Sequence, residues 1–254
     1  MFIPKTDKVE KISKSFEKSI EQMEKLLVGK VIVYIDDANV RPWSNRLNWH
    51  IDYKRLKQFL ESFDNINSVK IYRGTLRGDV VSEESVAELR KLKYDVRTKD
   101  VKIMKHSIDV TSVSSMASPD LLEKFIRKCL LREFKLEVIE YLNENFKQMN
   151  LAGKLFVKDL KCNFDVEIGV DMLLDNERSE AETFILWSGD SDFADPIETL
   201  LNNGKRVILF STVGRVSTEL GRLREKGLFI FDIKKIRNFI CWGREIEQKI
   251  KSGI

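Results

Sequence analysis

Runs of apolar residues alternate with amphipathic segments along most of the chain. Residues 31–35 (VIVYI) form a continuous β-branched and apolar run that stops at Asp36 and Asp37, a pattern typical of a strand buried on both faces. Similar runs predict further strands at residues 69–72, 94–104, 155–157, 184–187, 207–210 and 228–231. Helical spacing predicts helices over residues 52–63, 82–92, 166–174, 196–201, 216–225 and 234–250. This alternation of strand and helix indicates a doubly wound α/β sheet with mainly parallel strands.

Two helical segments fall outside that rhythm. Residues 5–27 have the apolar spacing of a charged amphipathic helix, which serves packing or oligomerisation. Residues 119–149 predict one long helix or a helical hairpin, inserted into the α/β core because the α/β rhythm resumes afterwards. We therefore expect an N-terminal helix (1–29), an α/β domain (30–235) with a helical insertion at about 112–150, and a C-terminal helix (236–254).

Composition and charge indicate a soluble protein. The chain has 254 residues, of which 43% are hydrophobic and 33% charged, and it has no apolar run of about 18 residues that could span a bilayer. The lysine-containing N-terminus has no apolar core of the signal-peptide type, so we expect a cytoplasmic protein without membrane contact. The net charge of +4 is weak support for a polyanionic partner.

Cysteine and histidine are too scarce for several kinds of site. The three cysteines are far apart and have no CxxC pair, which excludes a disulfide framework and the common zinc spacings. Two histidines make a histidine-rich metal site improbable. A metal would therefore have to be held by oxygen atoms, which favours Mg²⁺ or Mn²⁺ over Zn²⁺.

Aspartates follow two of the predicted buried strands. Asp36 ends the first, and Asp190 and Asp192 follow the run at 184–187. In parallel sheets ligands bind beyond the carboxyl ends of strands where the strand order reverses, so Asp36 and Asp190 meet if their strands are neighbours there. Asp171 is on a predicted helix. Clustered carboxylates destabilise one another unless a cation neutralises them, and a divalent cation suits phosphodiester hydrolysis. For Asp37, Asp175 and Asp195, helix capping or solvation explains the residue at least as well.

Three motifs resemble the NYN domain of the LabA-like group within the PIN-like nucleases. They are IDDAN (35–39), GVDMLL (169–174) and SGDSDF (188–193), followed by Gly204-Lys205 and a strand. The resemblance covers roughly residues 31–235, with 112–150 outside it. It implies a PIN-like three-layer α/β sandwich with a central, mainly parallel sheet, and cleavage of RNA by metal-activated water.

The resemblance also implies roles for individual residues. By matched positions, Asp36, Asp171, Asp190 and Asp192 would be catalytic and would bind Mg²⁺ or Mn²⁺, with Asn39 and Ser188 as supporting polar groups near the substrate. Asp37 stands where the family usually has a small residue, and it either adds a ligand or faces solvent. The size of the helical insertion is atypical for the family, so the substrate preference does not follow from the resemblance.

Basic and aromatic residues near the predicted strand ends are candidates for RNA contact. Arg73, Arg77 and Lys161 are predicted to contact phosphates, and the alternative for each is a solvated surface charge. Trp43 and Trp49 either stack on unpaired bases or pack in the core, and packing is favoured. Asn39 is a turn residue, a substrate contact or a partner of a ligating carboxylate.

Three alternatives compete with the nuclease prediction. A phosphatase of the HAD type needs an acid two residues after its nucleophilic aspartate, and that position is Ala38. A receiver domain needs a phosphorylatable aspartate and a lysine at later strand ends, which are not evident. A catalytically inactive RNA-binding or scaffolding protein of the same fold would have no reason to retain all the acidic positions. The sequence therefore predicts a metal-dependent endoribonuclease, with RNA as partner and with homodimerisation through the helical segments as a possibility.

Overall fold

The computed structural model describes residues 1–212 and 214–241 and divides into two compact units. The first comprises Met1–Asp100 and the described residues from Cys162 onward, and the second Val101–Lys161. The strands of the described residues are β1 (Val31–Asp36), β2 (Ile66–Thr75), β3 (Asp95–Asp100), β4 (Lys102–Ser107), β5 (Phe156–Lys161), β6 (Thr183–Trp187), β7 (Arg206–Ser211) and β8 (Phe229–Asp232). The α-helices are α1 (Asp7–Ser13), α2 (Glu17–Leu26), α3 (Asp37–Val40), α4 (Ser44–Leu47), α5 (Tyr53–Leu60), α6 (Val80–Lys91), α7 (Lys128–Leu131), α8 (Leu136–Leu151), α9 (Asp165–Glu177), α10 (Ala194–Asn202), α11 (Thr218–Arg222) and α12 (Arg237–Ile240).

The first unit is built on a six-stranded sheet in the order β3-β2-β1-β6-β7-β8. Every neighbouring pair in this sheet is parallel. The strand order reverses between β1 and β6, because the chain proceeds outward from β1 to β3 on one side and from β6 to β8 on the other. The predicted α/β class is confirmed, and helices on both faces make it consistent with a PIN-like three-layer sandwich.

The two faces of the sheet have separate hydrophobic cores, and β1 contributes to both. Val31, Val33 and Ile35 pack on the face that contains α5, whereas Ile32 and Tyr34 pack on the face that contains α9 and α10. All five side chains are buried, which explains why this strand is continuously apolar. Burial of each large apolar side chain stabilises the fold by about 1.5–3 kcal/mol.

The segment predicted as one N-terminal helix consists of two helices, α1 and α2. The chain turns at residues 14–16, where the Ser13 hydroxyl donates to the carbonyl oxygen of Glu10. Val9, Ile20 and Met23 belong to the core that contains α5, so both helices pack on that face of the sheet. Most of the predicted C-terminal helix lies outside the described residues, which end with α12 and Cys241.

The second unit corrects the predicted helical insertion. It spans residues 101–161 rather than about 112–150, and it includes an antiparallel pair, β4 and β5. The run at 155–157 therefore contributes to this pair and not to the central sheet, and the stretch at 94–104 is divided between β3 and β4. A single long helix is also wrong. Leu122, Leu131 and Ile139 form one small core, whereas a continuous helix would separate the first and last by roughly 26 Å.

A membrane-crossing role finds no support in the helices of the described residues, none of which is both long and apolar enough to span a bilayer.

Candidate functional site

The two strands that end in predicted site residues are neighbours. β1 pairs with β6 in parallel, and Ile35 lies opposite Trp187. Asp36 follows on one strand, and Ser188, Gly189 and Asp190 follow the other. The reversal of strand order therefore brings these residues together at the carboxyl edge of the sheet, in the position where open parallel sheets have their ligand-binding crevice.

Asp36 and Asp37 are adjacent in sequence but point to opposite faces of the sheet. Successive side chains in a strand alternate, and Asp36 continues the face of Ile32 and Tyr34, towards α9. Asp37 contacts Tyr53 and Arg73 on the face of α5. The two aspartates of IDDAN therefore lie in different environments: Asp36 is near other acids, and Asp37 is bound to an arginine and a tyrosine.

Asp36 is a buried carboxylate held by two hydrogen bonds. The Ser188 hydroxyl donates to its Oδ2 at 3.2 Å, and the backbone N–H of Asn39 donates to its Oδ1 at 3.3 Å. The pKa of Asp36 is raised to about 6, above all by burial and then by the charges of Asp165 and Asp190, whereas the two hydrogen bonds lower it. Such a carboxyl is one that a bound cation would stabilise in its ionised form.

Asp165 is a member of this cluster that the sequence analysis missed. It is the first residue of α9, and its pKa is raised by burial and then by the negative charges of Asp190 and Asp192. The available signal was helical spacing. Asp165 precedes the buried Ile168 and Met172 by three and seven residues, so it lies on the face of α9 that turns towards the sheet.

Asp190 and Asp192 belong to the loop after β6. Asp190 caps the short 3-10 helix Ser191–Phe193 by accepting from the backbone N–H of Asp192 at 3.3 Å. Asp190 is half-buried and Asp192 is exposed. Three of the four predicted catalytic aspartates (Asp36, Asp190 and Asp192) therefore lie in one electrostatically coupled group with Asp165.

Asp171, also on α9, contacts side chains of β2 and β3. The Tyr72 hydroxyl donates to its Oδ2 at 2.6 Å, and the Arg97 Nε lies 3.8 Å from the same oxygen. The pKa of Tyr72 is raised by burial and then by this hydrogen bond. In this arrangement Asp171 joins α9 to β2 and β3.

Asp175, four residues later, is neutralised within the core. Lys70 Nζ and the Tyr34 hydroxyl each donate to its Oδ2 at 2.5 Å. The lysine and aspartate side chains are only 9% and 10% exposed, so this is a buried ion pair. It attaches α9 to β1 and β2 and thereby fixes the position of Asp165 at the start of the helix.

The loop after β6 requires glycine at position 189. A Cβ there would lie 1.5 Å from the carbonyl oxygen of Arg215, which no relaxation of a side chain could relieve. The backbone N–H of Gly189 also donates to Asn39 Oδ1 at 3.3 Å, and its carbonyl accepts from the N–H of Ser217 at 3.1 Å. Asn39 and Ser188, predicted as supporting polar groups, thus link the loop after β6 to α3 and Asp36.

The predicted RNA-contacting residues are found in different places. Arg73 is buried, and its Nε and Nη2 each donate to Asp37 at 2.8 Å, so its charge is paired within the protein. Arg77 is exposed beyond the end of β2, and Lys161 is exposed at the end of β5 in the second unit. Trp43 and Trp49 are 0% and 2% exposed, which confirms the packing alternative over base stacking.

The donor set fits a hard divalent cation by its chemistry. Four carboxylates from β1, α9 and the loop after β6 influence one another, and magnesium and manganese prefer oxygen ligands. Within the described residues, the side chains as placed contain no group of three His, Cys, Asp or Glu close enough to hold an ion. Cation binding at this cluster would therefore draw the carboxylates closer together.

Comparison with known proteins gives three matches. Residues 129–231 match the family model of the NYN domain, a region that contains GVDMLL and SGDSDF but begins after IDDAN. The low amplitude and bright protein LabA of Synechococcus elongatus is 24% identical over 213 residues, which are 84% of this chain and 88% of that protein. A crystal structure of a protein of unknown function from Vibrio parahaemolyticus covers 84% of this chain and 96% of its own, with a TM-score of 0.49 and 15% identity.

Proposed function

Because the chain is an NYN/LabA-like protein, as its motifs predicted, and is thereby related to the PIN-like nucleases, we propose that it is a metal-dependent endoribonuclease of the cytoplasm. Its substrate in this proposal is RNA, and the reaction is hydrolysis of a phosphodiester bond. A bound Mg²⁺ or Mn²⁺ would neutralise charge on the phosphate and lower the pKa of the attacking water.

One observation carries the proposal. Asp36, Asp37 and Asp175 are the buried acids of the described residues, and two of them are neutralised inside the fold. Asp37 is paired with arginine and Asp175 with lysine, whereas Asp36 faces the further acids Asp165 and Asp190. Uncompensated like charges cost stability, so they are retained where a cation or substrate is to be bound.

The proposed roles follow from these positions. Asp36, Asp165 and Asp190 hold the cation, and Asp192, which is exposed beside them, orients the attacking water and accepts its proton. Ser188 keeps the Asp36 carboxylate directed into the crevice through its hydrogen bond. Asp171 acts through Tyr72 by positioning α9, and it becomes a ligand only if the tyrosine contact opens.

The test is cleavage of labelled single-stranded RNA in Mn²⁺, with EDTA and Asp190→Asn as controls. We expect both controls to abolish cutting by a folded protein. Asp165→Asn and Asp171→Asn then separate the two acids of α9: the first should abolish cleavage at any Mn²⁺ concentration, and the second should reduce it partially. If wild type and Asp190→Asn behave alike on RNA while both bind it, the chain is an RNA-binding protein without nuclease activity.

A further inference from the structure

A second site lies on the opposite face of the sheet edge from Asp36. It is a cavity of about 560 Å³ between the segment after β1, the start of α5, and α6. This volume is within the range of sites that bind small organic molecules, about 300–1,000 Å³. Its apolar walls come from Val40, Tyr53, Leu89 and Leu92.

Charged groups surround these apolar walls. Arg41 and Lys54 line the cavity, and the Arg41 side chain is 64% exposed although its Nε lies 3.0 Å from Asp37 Oδ2. Arg73 also lines it, but its charge is paired with Asp37. Glu88, on α6, adds a carboxylate that can accept a hydrogen bond. The site thus combines an apolar interior, cationic groups and an acceptor.

We propose that this cavity binds an unpaired nucleobase of the RNA strand, next to the nucleotide whose phosphate lies at the aspartate cluster. The inference rests on the proposed function for the identity of its ligand. Apolar walls favour a base over an isolated phosphate, whereas Arg41 and Lys54 suit the phosphate attached to that base.

The position of the cavity beside the aspartate cluster supports RNA, and not an unrelated small molecule, as the ligand of the cavity. Asp36 and Asp37 are consecutive residues, the first directed into the crevice and the second supporting the arginines of the cavity. The two sites thus lie on the two faces of the same sheet edge, so an RNA strand that crosses the carboxyl edge passes both. This gives Asp37 a role that the motif comparison did not provide: it holds Arg73 and Arg41 beside the base.

Binding of short RNA in EDTA tests the proposal without cleavage. The full chain is titrated with a labelled single-stranded RNA and with copies that each lack one base, and affinity is measured by fluorescence anisotropy. Loss of one particular base should weaken binding by about 5- to 150-fold, the range expected for a base held by stacking and apolar contact. If no single base matters more than the others, the proposal is overturned.

A variant that fills the cavity tests whether the loss of affinity for the RNA that lacks one base arises in the cavity. Ser44 lines the cavity and is half-buried, so Ser44→Phe introduces a ring into it, whereas Ser15→Phe adds the same ring at an exposed position outside it. In Ser44→Phe the penalty for the missing base should disappear, and in Ser15→Phe it should remain. A penalty that persists in Ser44→Phe overturns the proposal.

The experiments can overturn the nuclease function and the base-binding role of the cavity independently of each other. A base-specific penalty in EDTA together with no cleavage in Mn²⁺ would overturn the nuclease function and retain the base-binding cavity. Cleavage that depends on Asp190, together with equal binding of all the base-deleted RNAs, would retain the nuclease function and overturn the cavity's role.

Discussion

Two adjacent buried aspartates are expected to respond to the same substitution in opposite directions. Asp36→Asn and Asp37→Asn each replace a charged oxygen with a neutral amide of nearly the same size. Asp36 lies among other acids, whereas Asp37 accepts two hydrogen bonds from Arg73 at 2.8 Å. The first change removes a charge that is unfavourable because it is buried and lies near other acids, and the second removes a favourable ion pair.

The size of the stability change expected for Asp36→Asn follows from the pKa of Asp36. Its pKa is raised from 3.8 to about 6, mainly by burial, and each unit corresponds to about 1.4 kcal/mol, so ionised Asp36 costs about 3 kcal/mol of stability. A raised pKa means that the folded state binds the proton more tightly than the unfolded chain. The associated stability is fully present below pH 3.8 and is lost as the pH rises through about 6. Asp36→Asn should therefore stabilise the protein at neutral pH, and this gain should shrink on acidification.

Asp37→Asn should have the opposite effect. It leaves the Arg73 guanidinium, whose side chain is 8% exposed, without its charge partner. Breaking a buried ion pair on one side costs about 3–5 kcal/mol.

Urea unfolding in EDTA, at neutral pH and again at about pH 5, measures both effects. The reasoning is refuted if Asp36→Asn destabilises the protein at neutral pH or if its effect does not change with pH. It is equally refuted if Asp37→Asn is neutral.

Three further predictions concern the loop after β6, the buried ion pair and the cation. Gly189→Ala should prevent stable folding, because its Cβ would lie 1.5 Å from a backbone carbonyl oxygen; Gly221→Ala, with no atom within 4 Å, should fold normally, and thermal unfolding compares them. Asp175→Asn should cost about 3–5 kcal/mol in urea unfolding by leaving Lys70 buried without its carboxylate, and a smaller loss would mean that water solvates the lysine. Mn²⁺ at a hundred times its Kd should stabilise the wild type by about 2.7 kcal/mol and Asp190→Asn much less, so equal stabilisation of both would contradict a cation site at this loop.

The sequence was sufficient to predict where β1 and β6 end and which acidic residues follow their apolar runs. Both strands are continuously apolar because both of their faces are covered, and the chain becomes polar where they leave the core. Asp36 and Asp190 mark these ends. Neighbouring strands at a reversal of order then bring the two acids together without any information on side-chain packing.

The sequence alone did not show which of the acids of α9 lies near Asp36. Asp165, Asp171 and Asp175 lie on one helix, and which of them reaches the crevice depends on how that helix docks. Docking is set by contacts between residues far apart in sequence, with separations of 141 for Tyr34 and Asp175, and 99 for Tyr72 and Asp171. Helical periodicity identifies a face of the helix, but it does not identify the strands that the face will meet.

The second unit shows a related limit. The pairing of β4 with β5 joins segments separated by about fifty residues, and each strand taken alone reads as one more strand of the α/β series. Lys102 lies opposite Lys161 in this pair, and Lys105 opposite Lys158. Like charges directly opposite are unfavourable, so local residue preferences argue against the observed register. Only the tertiary arrangement of residues 101–161 selects it.

The distribution of charge partners among the buried acids links the fold to the proposed function. A fold that needed buried acids only for stability would pair each of them with a basic side chain, as this fold does for Asp37 and Asp175. Those two pairs stabilise the surroundings of Asp36: one supports the cavity beside β1, and the other attaches α9 so that Asp165 approaches the crevice. The unfavourable ionisation of Asp36 is thus maintained by interactions that are favourable elsewhere, which is the arrangement expected if the proposed cation binds there and supplies the positive charge.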